Sequence, residues 1–185
     1  GLPYKVNPIS MAPDFRNSEE WRRLSPTGKV PVMKDGDVVM YESCAMVQYV
    51  LAKEGNGRLE PAPGSAEHAM YLQWCWFAEA TFSRPIGEIV NHRRAFGDAA
   101  EEHITDEMAV RARVCAEALD EALAGRTYLM GEDFTAADIM MGYTLKLYTA
   151  MVEPELGGHL GNYWNALKVR EGMQAADRAD DAAKI

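Results

Sequence analysis

Two short stretches carry the residue types from which a binding site could be built. Gly28-Lys29-Val30-Pro31-Val32 is an apolar run interrupted by proline, and Glu42-Ser43 follows about ten residues later at the start of an amphipathic segment. A proline inside a strand cannot donate to the ladder, so Pro31 must stand at a strand start, an edge or a special turn. Glu42 and Ser43 precede Met46, Val47, Val50 and Leu51, whose spacing predicts a helix. A helix N-terminus carries unpaired N–H groups and a positive dipole end, which suit a carboxylate. A serine there can add a hydroxyl to that carboxylate, and a glutamate can accept from an ammonium group. Without more, the same residues describe a hairpin and a capped helix in any α/β domain.

The elements that must position these residues follow from the pattern around them. Val30, Val32 and Met33 lead to Asp35-Gly36, expected as the two-residue turn of a hairpin, and Val38 to Tyr41 resume the strand. Upstream, Tyr4 to Ile9 reads as a short strand and Met11 to Asn17 as a loop. Ser18 is the expected cap of a short helix with Trp21 and Leu24 on its buried side, and Ser25-Pro26-Thr27-Gly28 ends it. Gly55 to Ala66 is rich in Gly and Pro and reads as a linker.

Beyond Glu67 every signal is helical. A long helix from His68 to about Asn91 holds Tyr71, Trp74, Trp76, Phe77 and Phe82, and Pro85 is expected to kink or break it. A second helix, about Glu101 to Ala124, has an apolar stripe of Ile104, Met108, Ala112, Cys115, Leu119 and Leu123. A third starts at Thr135, with Thr135 and Asp138 as a capping box and Phe134 and Ile139 at the staple positions. A fourth carries Leu160, Tyr163, Trp164, Leu167 and Met173, and the tail from Ala175 is expected to fray.

G-K-V-P-V, then Y-E-S-C-A-M, then F-T-A-A-D-I nearly a hundred residues on, together resemble a cytosolic, bacterial-type glutathione transferase. The resemblance spans nearly the whole chain. It implies a thioredoxin-like N-terminal α/β domain over residues 1–54, a linker over 55–66 and an all-α helical bundle over 67–185, the α+β glutathione transferase fold. In that family the proline is cis, and the backbone of the residue before it, here Val30, pairs with the cysteinyl backbone of glutathione. Glu42 and Ser43 would anchor the γ-glutamyl end, and Lys29 would meet the glycine carboxylate. An electrophile pocket would be lined by Trp74, Phe77, Ser83 and Arg84. Bacterial cysteine-type members carry a histidine-lysine pair where this chain has Ser83-Arg84, a departure from that subclass.

The implied activity is conjugation of the glutathione thiolate to small hydrophobic electrophiles, a detoxification chemistry, with glutathione as co-substrate and no metal. Glutathione-dependent peroxide or disulfide reduction, or dehalogenation, would use the same site. A transferase-fold interaction module without catalysis is the reading from another class. The family's small domain begins with a strand and helix of roughly 20–25 residues that Gly1-Leu2-Pro3-Tyr4 would follow, so the catalytic Tyr, Ser or Cys is expected upstream of Gly1. Cys44 lies beside Ser43, but the third residue of that helix is expected to pack inward.

Composition fits these expectations. Of 185 residues, 48% are hydrophobic and 25% charged, as in ordinary soluble globular proteins. A net charge of −9, from 28 acidic and 19 basic residues without a basic cluster, disfavours nucleic-acid or anionic-membrane binding. No apolar run is long enough to cross a bilayer. Cys44, Cys75 and Cys115 form no CxxC, zinc or disulfide pattern, which fits reduced thiols in the cytoplasm. A homodimer is implied by the resemblance alone.

Overall fold

A computed structural model describes residues 2–10 and 12–183. The chain divides into two compact units, Gly1–Tyr49 with Glu171–Ile185, and Val50–Arg170. The small two-stranded sheet and the surrounding helices are those of a thioredoxin-like N-terminal half followed by a helical bundle.

In the first unit, α1 (Pro13–Arg16) is a single turn with proline at its start, where a missing N–H costs nothing. Its presence corrects the expected loop from Met11, which itself lies outside the described residues. Helix α2 (Glu19–Leu24) is capped by Ser18, whose hydroxyl accepts from the Trp21 amide at 3.2 Å. Trp21 and Ser25, one turn apart, take the buried face, so Leu24 is turned out to solvent at 40% exposure, against expectation. Strands β1 (Val32–Asp35) and β2 (Val38–Tyr41) pair antiparallel. The turn differs from expectation by one residue. Asp35 pairs with Val38, so the two-residue loop is Gly36-Asp37, with a positive φ of 59° at Gly36. Tyr4 to Ile9 form no strand. Among the described residues the sheet has only these two strands, so that segment has no ladder to join, and Tyr4 is 80% exposed. Helix α3 (Ser43–Val50) buries Cys44 and Met46 and continues as a π-helical turn through Gly55.

In the second unit, α4 (Ala66–Trp76) starts at Ser65, whose hydroxyl accepts from the His68 amide at 3.0 Å. The expected break at Pro85 does not occur. A π-helical stretch, Phe77–Phe82, runs directly into α5 (Ser83–Phe96). The wider turn accommodates the proline just beyond it. The Ser83 amide bonds Ala78 O, the Ser83 hydroxyl donates to Glu79 O, and the Thr144 hydroxyl donates to Ala78 O at 3.2 Å.

Helix α6 (Glu102–Ala122) buries Ala112 and Leu119 of the expected stripe, with Leu123 just past its end, and half-buries Ile104, Met108 and Cys115. Helix α7 (Ala136–Met151) packs against α4, α5, the π-helical stretch and α8 (Gly158–Lys168). It is buried along Ala137, Met141 and Leu145, small and flexible residues that let neighbours approach. Its first amide, Ala136 N, donates to Leu59 O at 2.8 Å, so the Gly/Pro-rich segment closes an open helix end.

The expected staple is absent: Ile139 is 45% exposed, and Phe134 instead meets Tyr128 and the Arg170 guanidinium, 3.5 Å from its ring. The chain ends in α9 (Glu171–Ala183), part of the first unit. The expected frayed tail is thus helical through Ala183, and Met173 lies on α9 rather than on α8.

Candidate functional site

The hairpin register decides which residues meet. Val32 pairs with Tyr41, so Pro31 and Glu42 are the next residues outward on the two strands, with Val30 and Ser43 beyond them. The expected ligand-binding residues Val30, Pro31, Glu42 and Ser43 therefore share one end of one hairpin. The Val30–Pro31 peptide is cis. Val30 is 46% exposed, and neither its amide nor its carbonyl has a hydrogen-bond partner among the described residues. Two free backbone groups on an exposed edge can bind the backbone of an extended peptide.

At the facing position Glu42 has a φ of 79°, a left-handed conformation uncommon for any residue but glycine. Its carbonyl accepts the first intrahelical bond, from Met46 N at 3.0 Å. The Ser43 amide thus lies ahead of the first helical bond, beside its own half-exposed hydroxyl. Amide, hydroxyl and helix dipole form an acceptor for a carboxylate, with the exposed Glu42 carboxylate next to them for an ammonium.

Residues that the sequence did not single out hold this end in place. Ser25, fully buried, donates its hydroxyl to Lys29 O at 2.8 Å and accepts from Lys29 N at 3.0 Å. Arg16 Nε donates to Gly28 O at 3.1 Å, and Arg22 bonds Pro26 O at 2.7 Å and Asn17 Oδ1 at 2.8 Å. On the other side, Tyr49 donates to Asp35 Oδ2 at 2.9 Å and ties α3 back to β1. Arg22, one turn ahead of a Ser-Pro-x-Gly turn, was the available signal for this brace, with Arg16 further upstream on α1. The Lys29 backbone is fixed by Ser25, while its side chain is exposed.

The expected pocket residues have other partners. Trp74 is 8% exposed and sits edge-on to Phe77, with ring centroids 5.5 Å apart. Phe77 is half-buried. Arg84 pairs with Glu88 at 3.1 Å on an exposed surface, and the Ser83 hydroxyl serves the Glu79 carbonyl. Cys44 is 2% exposed, as expected of a packed residue. Among the described residues, no group of three or more His, Cys, Asp or Glu could hold a metal ion, and no helix is long and apolar enough to cross a membrane.

Residues 1–53 match the family model described as the glutathione S-transferase N-terminal domain. Glutathione S-transferase 4 of Zea mays is 30% identical over 183 residues, which span 92% of this chain and 78% of that protein. Elongation factor 1-gamma-A of Xenopus laevis is 30% identical over 177 residues, 88% of this chain but 37% of the longer protein. The crystal structure of the glutathione transferase URE2P8 from Phanerochaete chrysosporium, with oxidized glutathione, superposes with a TM-score of 0.84 at 24% identity, covering 100% of this chain and 87% of that one. The hairpin, the helix behind it and the bundle are those of a glutathione transferase fold. The chain belongs to the glutathione S-transferase family.

Proposed function

We propose that the hairpin end built from Val30, Pro31, Glu42 and Ser43, with Lys29 beside it, holds glutathione as co-substrate, and that the protein joins the glutathione sulfur to small hydrophobic electrophiles. The observation that carries this is the register pairing Val32 with Tyr41. It brings an exposed, unpaired backbone segment and a helix start to one place. Glutathione has the complementary groups: a central peptide unit for Val30, a γ-glutamyl carboxylate for the Ser43 amide and hydroxyl, an ammonium for Glu42, and a glycine carboxylate for Lys29.

In the reaction the thiolate donates its electron pair to an electrophilic carbon. A C–S bond forms, and either a leaving group departs with its pair or a polarised double bond takes up the proton. Holding both reactants together turns a bimolecular encounter into an intramolecular one. Phe77, half-buried, offers apolar surface for the second substrate, with Trp74 behind it and Ser83 and Arg84 further along the same continuous helix. Cys44 is no candidate for thiolate chemistry, since a thiol at 2% exposure does not meet a substrate. The family resemblance and the acidic charge support a cytoplasmic homodimer that acts on small molecules rather than nucleic acid or membrane.

Calorimetric titration with glutathione tests the site. Saturable binding, lost in the Glu42→Ala/Ser43→Ala double variant, is the expected outcome. The likeness to elongation factor 1-gamma-A favours a second reading, a transferase-fold interaction module without catalysis. Absence of binding at millimolar glutathione would reject the first reading and leave the second.

A further inference from the structure

The N-cap residue of α6, Glu101, makes no side-chain cap bond. Its amide is held across the helical hairpin instead. Glu101 N donates to Nε2 of His92, half-buried near the end of α5, at 3.0 Å. The Phe96 ring, one turn further on, leans against the imidazole with centroids 4.7 Å apart. A single 3₁₀ turn, Gly97–Ala99, joins the two helices, with a φ of 53° at Gly97. Beside the bond α5 and α6 part around a groove of about 380 Å³. Ile89, His92 and Phe96 wall it on one side, and Ile104, Thr105 and Met108 on the other.

The bond fixes the protonation state of the ring. An imidazole nitrogen accepts only while its lone pair is free, so the ring is neutral with its proton on Nδ1. An imidazolium donates from both nitrogens and would set one N–H against another at Glu101. Charged groups around the ring come from three elements: Glu88, Arg93 and Arg94 on α5, Asp98 in the turn, and Glu101, Glu102 and His103 at the start of α6. Arg84 holds Glu88 at 3.1 Å, and Glu101 lies 3.4 Å from His103 Nδ1. A neutral ring is matched to the Glu101 amide and a charged one to the carboxylates. The two protonation states therefore call for different partners.

We propose that His92 is a pH-operated latch between α5 and α6. Neutral, it ties the N-cap of α6 to α5 and keeps the groove narrow. Protonated, it releases the Glu101 amide, and the first turn of α6 moves away from α5 and uncovers Ile104 and Met108, now half-buried. The sign follows from the required neutral ring. The latch is closed at pH 8 and opens as pH falls toward 5, the span in which histidines change charge. Opening stays local, because Ala112 and Leu119, both fully buried, hold the rest of α6 in the bundle. His103 titrates beside it, and a cation in the first turn of a helix opposes the dipole, so the two histidines must be separated. The device lies within the second unit and does not depend on glutathione binding.

The test is a ¹⁵N and ¹³C-methyl NMR titration of the whole chain from pH 8 to pH 5, without glutathione. At pH 8 the His92 ring should carry its proton on Nδ1. On acidification the Glu101 and Ile104 amides and the Met108 methyl should shift together, with the midpoint of the His92 ring itself. Exchange of the Glu101 amide, corrected for its intrinsic pH dependence, should quicken roughly fivefold, as for one lost hydrogen bond. His92→Gln keeps an acceptor that does not titrate, so all three reporters should stay near their pH 8 positions throughout. His92→Leu keeps no acceptor and should hold them near their pH 5 positions at every pH. His103→Gln should leave the transition in place. A proton on Nε2 at pH 8, a transition that survives in His92→Gln, or one that disappears in His103→Gln would overturn the inference.

Discussion

Tyr163 donates its hydroxyl to Oδ1 of Asp138 at 2.9 Å, and both residues are buried, at 2% and 1% exposure. The same oxygen accepts from Leu129 N at 3.0 Å, while Oδ2 accepts from Thr135 N at 2.8 Å and the Thr135 hydroxyl at 3.1 Å. One carboxylate therefore joins the cap of α7 to the preceding loop and to α8. Removing it orphans several buried donors at once, each worth about 1–3 kcal/mol if left unsatisfied. Asp138→Ala should cost about 3–5 kcal/mol in urea unfolding. Tyr163→Phe removes one donor of four and should cost about 1–2 kcal/mol. A loss below about 1 kcal/mol in Asp138→Ala would mean that the network contributes little beyond the cap itself.

Alkaline stability follows from the same pair. Burial, and then the Asp138 charge, hold the Tyr163 phenol well above its ordinary value of 10.0. An unfolded tyrosine releases its proton near pH 10 while the folded one keeps it, so the native state binds more protons above that pH. Stability is then complete below pH 10 and falls as pH rises toward the folded value. Tyr163→Phe should show a shallower alkaline decline than the parent, measured as the urea midpoint at successive pH values. Equal slopes would show that Tyr163 does not carry the alkaline loss.

Much of this was legible in the sequence because it rests on local chemistry. Ser18 as a cap, Thr135 with Asp138, the stripe on α6 and the inward Cys44 follow from spacing and side-chain type. The hairpin was legible except for its turn, where Asp-Gly suggested one pair of loop residues and the strand register took the next. What sequence could not give was set by distant partners. Tyr4 to Ile9 has strand-like alternation, but pairing needs a neighbour. Ile139 stands at a staple position, but Phe134 turns to Arg170 instead. Ser25 is silent in sequence because its role depends on the chain folding back to Lys29.

Gly28 is where the brace is least tolerant of change. Its φ is 67°, and a Cβ would stand 2.8 Å from the Arg16 carbonyl oxygen, a backbone atom that cannot swing aside. Gly28→Ala should cost about 1–3 kcal/mol of stability. By shifting the Lys29–Val30 segment it should also weaken glutathione binding. Ser25→Ala leaves the Lys29 amide and carbonyl without their shared partner and should act in the same direction. Denaturation curves and glutathione titrations on both variants check this. Full affinity in a destabilised Gly28→Ala would separate the brace from the binding site.

Thr144 tests how the long helix passes Pro85 unbroken. The π-helical stretch leaves carbonyls out of the regular ladder, and Thr144, 2% exposed on α7, donates to Ala78 O at 3.2 Å, with Met140 O at 3.3 Å as a second acceptor. Thr144→Val keeps the shape and removes the donor, so it should cost about 1–2 kcal/mol. Thr144→Ser keeps the donor and loses a buried methyl, which should cost about 1 kcal/mol. If the π-helical stretch depends on this bond, amide exchange across Phe77–Phe82 should quicken in the valine variant and stay close to the parent in the serine variant. Equal protection in both would show that the Ser83 bonds and the packing against α7 hold the stretch without Thr144.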